Sequence, residues 1–238
     1  YVVIPASNFT STGKLYRMLS VSGQGSDNGT DDDFDENGSN PADPAVAGVV
    51  SSNVELTPGS EPTDFDTELG RGTYLDSDSD ANVDLTLDFG FYTPVGVGNL
   101  VFVDSNGNKK ADANEGVSQV TVQLFKAGQN PLEVQPLQTQ ITGASPSKGR
   151  FLFTNLEPGN YFLRIPPDMF GVGKPLHNKV SMTGVEATQS DDNAGENGVD
   201  PADIAGQGIQ TADFALNSGL APSGTQEGGQ FNTDDKNS

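Results

Sequence analysis

Cysteine and tryptophan are absent from this chain of 238 residues, and histidine occurs once. Without cysteine there is no disulfide framework and no thiol nucleophile. Zinc held by several His or Cys ligands is excluded by count. A Ser-His-Asp arrangement would have to use His177. Its setting, Pro175-Leu176-His177-Asn178-Lys179, carries no nucleophile-elbow pattern. Glycine-rich phosphate loops are missing too, since the glycines sit among Asp and Asn rather than beside Lys and Ser/Thr. Basic residues are scarce, 12 against 33 acidic ones, for a net charge of −21. That charge argues against nucleic acid and anionic membranes as partners. No apolar run approaches the roughly 18 residues of a membrane span, so no membrane insertion is expected in this segment. The sequence therefore reads as a protein that is not an enzyme.

What is present is polar, acidic and rich in turns. Apolar residues make up 33%, and 29 glycines bring the total close to the usual value of about 45–50%. A core can form, though not a generous one. The carboxylates are clustered, and clustering like charges is costly unless a cation lies between them.

Residues 104–115 are the most informative cluster. They read Asp-Ser-Asn-Gly-Asn-Lys-Lys-Ala-Asp-Ala-Asn-Glu. Side-chain oxygens fall at loop positions 1, 3, 5, 9 and 12, on Asp104, Asn106, Asn108, Asp112 and Glu115, while Lys110 at position 7 offers its backbone carbonyl. This is the ligand spacing of an EF-hand calcium loop, which supplies a hard cation with six to eight oxygens. Position 6 is Lys109, where the pattern wants glycine in a left-handed conformation. The flanks, residues 97–103 and 120–124, alternate like strands rather than amphipathic helices. The expectation is a Ca2+ clamp between β-strands.

Three further segments are candidate calcium loops. One carries Asp31, Asp33, Asp35 and Asn37. A second carries Asp191, Asn193 and Asn197. The third, Asp76, Asp78, Asp80 and Asp84, repeats positions 1, 3, 5 and 9 but has Leu87 at position 12. The alternative for each is a solvated acidic loop.

The chain also repeats itself. Glu36-Asn37-Gly38 and Pro41-Ala42-Asp43 recur as Glu196-Asn197-Gly198 and Pro201-Ala202-Asp203, both at an offset of 160. Ile4-Pro5 and Phe9 recur as Ile165-Pro166 and Phe170 with one residue inserted. A fixed period of this size marks tandem domains. The expected organisation is the C-terminal part of one β-sandwich repeat over 1–93. A second repeat lacking its last strand covers 94–220, and the start of a closing segment or a linker covers 221–238. The chain begins at Tyr1, so a processed product or a segment of a longer array is expected. Predicted strands include Val54–Leu56, Val83–Phe91, Phe151–Phe153 and Tyr161–Ile165. Short strands between Gly/Pro/Asn/Asp loops predict an all-β fold of tandem antiparallel β-sandwich modules with long acidic loops.

With these residues in view, the chain resembles the calcium-binding B-type repeats of serine-aspartate-rich bacterial surface adhesins, within the collagen-adhesin B-like (prealbumin-like) sandwiches. Three stretches carry the likeness: Gly98–Asn108 as opening strand and calcium loop, Gly149–Tyr161 as an aromatic hairpin ending Leu156-Glu157-Pro158-Gly159-Asn160-Tyr161, and Asp84–Tyr92 as a closing strand. The resemblance implies Ca2+ sites at Asp104–Glu115 and on the secondary loops, and an extracellular, cell-surface or secreted location. It implies a calcium-stabilised stalk, spacer or filament shaft whose partners are neighbouring repeats or identical subunits in an array. The alternatives are an adhesive module for a matrix or host ligand, or a filament subunit polymerising by strand complementation. Related modules carry Lys–Asn isopeptide cross-links, for which Lys126 is placed beside a strand without an evident partner.

Overall fold

The computed structural model describes residues 1–21, 37–60, 87–109, 111–112, 114–182 and 198–218. The chain divides into two units, Tyr1–Thr93 and Pro94–Ser238. Both are built from short antiparallel strands.

The first unit holds β1 (Val3–Ile4), β2 (Leu19–Ser20), β3 (Gly38–Ser39), a single-turn helix α1 (Pro44–Ala47), β4 (Val49–Ser51) and β5 (Phe91–Tyr92). Strands β1, β4 and β3 form one sheet, and β2 pairs with β5. Asp43 caps α1 by accepting a hydrogen bond from the Ala45 N–H at 2.9 Å. Pro44, whose fixed φ suits the first helical turn, follows the cap. Phe9 is buried and meets the Phe91 ring at 5.7 Å between centroids, tying the start of the unit to its last strand. Val54–Leu56, predicted as a strand, is irregular, and Leu56 is exposed. Alternation there reflects composition and not a sheet, because no strand of the unit pairs with it among the described residues.

The second unit holds β6 (Val95–Leu100), β7 (Thr121–Lys126), β8 (Gln138–Ile141), β9 (Arg150–Leu156), β10 (Gly159–Ile165), β11 (Gly198–Val199), α2 (Ile204–Gln207), β12 (Ile209–Thr211) and β13 (Phe214–Leu216). The larger sheet runs β11-β12-β10-β7-β8, with β13 also on β10. Strands β6 and β9 form the second sheet. Side chains that alternate inward from both sheets make the main core: Val95, Val122, Leu124, Phe153, Leu156 and Tyr161. On the other face of the larger sheet, Phe125 and Phe162 stack at 5.1 Å. The Tyr161 hydroxyl donates to the Glu157 carbonyl at 2.7 Å, so its one polar atom is satisfied inside the core.

The repeat is visible in three dimensions. Asp203 caps α2 through the Gly206 N–H as Asp43 caps α1. Gly48 and Gly208 end the two helices at φ 75 and 77. Phe9 and Phe170 each close a 3-10 turn, Ala6–Phe9 and Pro167–Phe170. In the second unit, Val120, Met169, Phe170, Leu176 and Ile209 form a second cluster beside the Pro167–Phe170 turn, with Val103 and Val117 packed against it. Those two valines flank the 104–115 loop and fix its base to the module.

Candidate metal centre

The loop leaves the sheet at Val103 and returns at Glu115, and its ends are stitched together by backbone bonds. Val103 N–H donates to the Glu115 carbonyl at 3.0 Å, Val117 N–H to Val101 at 2.8 Å, and Val101 N–H to Gly149 at 2.9 Å. Three chain segments cross there in close contact. Gly149 sits at φ 84, and a Cβ on it would stand 2.6 Å from the Val101 carbonyl oxygen. Only glycine fits that conformation and that approach. Lys148 Nζ adds a bond to the Asn114 carbonyl at 3.2 Å.

Inside the loop, backbone N–H groups point at its first carboxylate. Asp104 Oδ1 accepts from Asn106 N–H at 3.2 Å and Gly107 N–H at 2.7 Å, and Oδ2 accepts from Lys109 N–H at 2.8 Å. Lys109 reaches its place by adopting φ 62, the left-handed conformation its loop position requires. The Lys109 N–H is the largest influence holding the Asp104 carboxyl below its ordinary value. Partial burial opposes it, and the N–H groups of Gly107, Asn106 and Asn108 add to it. Glu115 closes the ring from the other end. Its Oε1 accepts from Ser105 N–H at 2.7 Å and its Oε2 from Asp112 N–H at 3.0 Å.

The side chains at positions 3, 5 and 9 converge. Asn106 Nδ2 and Asn108 Nδ2 both donate to Asp112 Oδ2, at 2.6 and 2.7 Å. An amide turned end for end presents Oδ1 where Nδ2 now stands. Three oxygens would then face one another, an arrangement that repels unless a cation joins them. The donors available are hard oxygens, the kind a calcium ion takes. Carboxylate oxygens already accepting one N–H retain a second lone pair for a metal. The residues present therefore fit a calcium ion. Among the described residues no three His, Cys, Asp or Glu side chains are gathered closely enough to hold a metal by themselves. A metal held here would need the two asparagines as additional donors.

The remaining candidates separate. Lys110 lies outside the described residues, as do Asp31, Asp33, Asp35, Asp76, Asp78, Asp80, Asp84, Asp191, Asn193 and Asn197. Asn37 is described, is only 8% exposed, and acts as a backbone clamp. Its Oδ1 accepts from Asp88 N–H at 2.7 Å and its own N–H donates to the Asp88 carbonyl at 2.9 Å. This holds the approach to β5 against β3. Lys126 pairs with Glu157 at 3.5 Å on the surface, with just over half of its side chain exposed. That solvated setting does not suit an isopeptide lysine. His177 is half-buried and its backbone joins a turn, N–H to the Lys174 carbonyl at 3.2 Å. The contributions of Lys148 and Gly149 to the loop were missed from sequence. The one available signal was the glycine ahead of the Arg150-Phe151-Leu152-Phe153 strand.

The family model described as the SdrD B-like domain matches residues 95–229, which is more than half of the chain. No curated protein matches the chain, and no solved structure matches it.

Proposed function

Because the chain belongs to the SdrD B-like domain family, the repeats of serine-aspartate-rich surface adhesins, we propose that it acts as a calcium-stabilised spacer in the extracellular stalk of a cell-surface protein. The observation that carries this reading is the convergence of Asn106, Asn108 and Asp112 inside a loop whose ends are already stitched. When bound, the ion supplies positive charge that joins oxygens which otherwise repel. Asp104 and Glu115 hold the two ends of the ring through backbone N–H bonds. Asn106 and Asn108, once their amides turned, would join Asp112 in offering oxygens to the ion. Val103 and Val117 pass the resulting rigidity to the cluster around Val120, Met169 and Phe170. The module's role is then mechanical, with metal binding coupled to folding.

Single-molecule pulling on the chain tests both parts of the reading. Unfolding of the second unit should need a higher force in millimolar calcium than in chelator. Asp112→Ala should abolish the difference while keeping the fold. Equal forces in calcium and chelator would overturn the proposal.

A further inference from the structure

Among the described residues, strand β8 is the outermost strand of the larger sheet and its one ladder partner is β7. In that ladder Val122 faces Gln140 and Leu124 faces Gln138, and Thr142 N–H donates to the Val120 carbonyl. Antiparallel ladders alternate, so Gln138 and Gln140 turn their main-chain groups toward β7. Thr139 and Ile141 turn theirs outward, and no strand meets them among the described residues. Exposed apolar side chains also border the edge. Leu137 and Ile141 are 49% and 59% exposed, and Leu132 and Val134 in the preceding turn are 67% and 39% exposed. Proteins usually protect such an edge with lysine, proline or a covering segment. Here β8 itself reads Gln-Thr-Gln-Ile. Its hydrogen bond to β9 is made by a side chain, the Gln138 amide donating to the Thr154 carbonyl at 3.2 Å, which leaves the Thr139 and Ile141 main chain as the open part of the edge.

Charge identifies the occupant. Residues 127–147 contain one ionisable side chain, Glu133, in a chain of net charge −21. A strongly charged partner would be drawn to or repelled from other surfaces, not this one. Two copies of this chain repel each other almost everywhere, and this neutral stretch is where they can approach. An antiparallel edge is also complementary to itself under a two-fold axis, because each outward N–H meets an outward carbonyl.

We propose that β8 is a self-association edge, through which two copies of the chain pair β8 to β8 in antiparallel fashion. Leu137 and Ile141 are covered in the pairing, and the Gln and Thr side chains meet across it. A four-residue edge with a few apolar neighbours is a small interface, so the dimer is weak and reversible. It requires no bound cation, since no residue of β8 belongs to the 104–115 loop.

Sedimentation of the chain across micromolar to millimolar concentrations, in calcium-containing buffer, tests the proposal. The wild type should shift reversibly from monomer to dimer. Thr139→Pro removes an outward N–H while leaving the β7 ladder intact, and should weaken the dimer roughly tenfold or more with an unchanged melting curve. Ile141→Lys should do the same and serves if the proline variant fails to fold. Hydrogen exchange at high concentration should slow at the Thr139 and Ile141 amides. A wild type that stays monomeric throughout, a dimer undiminished in both variants, or protection confined to another surface would each overturn it.

Discussion

Calcium should raise the melting temperature of the second unit by an amount the loop geometry allows one to work out. The ring is largely formed without the ion. Asp104 and Glu115 are already held by five backbone N–H bonds, so binding has mainly to reorient the Asn106 and Asn108 amides, at the loss of the Asn108 N–H bond to Asn106 Oδ1. Extracellular calcium modules of this ligand type have dissociation constants of about 0.1–1 mM. At about 10 mM calcium, the ratio of free ion to dissociation constant is about 10–100. Mass action then adds about 1.4–2.7 kcal/mol to the folded state. For a unit the size of Pro94–Ser238, each kcal/mol moves the midpoint by about 3–4 °C. The expected shift is therefore about 4–11 °C per occupied loop. Calorimetry in calcium and in chelator would measure it, with ionic strength matched by magnesium or sodium. The matched salt matters because a charge of −21 is screened by any cation. Asp112→Ala should remove the calcium-specific part. A shift below about 1 °C, or one that magnesium reproduces in full, would refute the reasoning.

Three further outcomes follow from described contacts. Phe153→Ala empties a fully buried position of the main core and should cost about 3–5 kcal/mol, read by denaturant unfolding; a cost below about 1 kcal/mol would contradict the packing. Tyr161 should titrate above its ordinary value of 10.0, raised first by burial and then by Glu157. Its neutral form is favoured in the folded state, so its contribution is present below pH 10 and is lost as pH rises through the folded value; ultraviolet titration of wild type against Tyr161→Phe would show it. Asp104 has the opposite sign. Its folded value is lowered from 3.8, so its contribution holds above that pH and fades as pH falls through the folded value. Asp104→Asn should flatten the acid limb of the stability curve, and an identical limb would argue against the N–H ring.

The loop was legible in the sequence because its chemistry is local. The spacing of Asp104, Asn106, Asn108, Asp112 and Glu115 sets the register, and the register requires the left-handed turn that Lys109 adopts. The repeat was legible for the same reason, since Asp43 and Asp203 act on N–H groups two and three residues away. Long-range contacts were not legible. Asn37 carries an oxygen suited to a cation, yet that oxygen accepts a bond from a backbone N–H 51 positions later. Lys148 and Gly149 meet the loop only after the strands have folded. Val54–Leu56 alternates like a strand but has no neighbour to pair with among the described residues.

The bond between Val103 and Glu115 gives the loop a consequence under tension. A stretching load that arrives at Val103 can cross directly to Glu115 and skip the residues between them. Those residues stay slack while the crossing holds. If it breaks, the released contour is roughly 40 Å, at about 3.3–3.6 Å per extended residue. An ion gripped by both ends of the loop would then act as a second catch, engaging only after the first has failed.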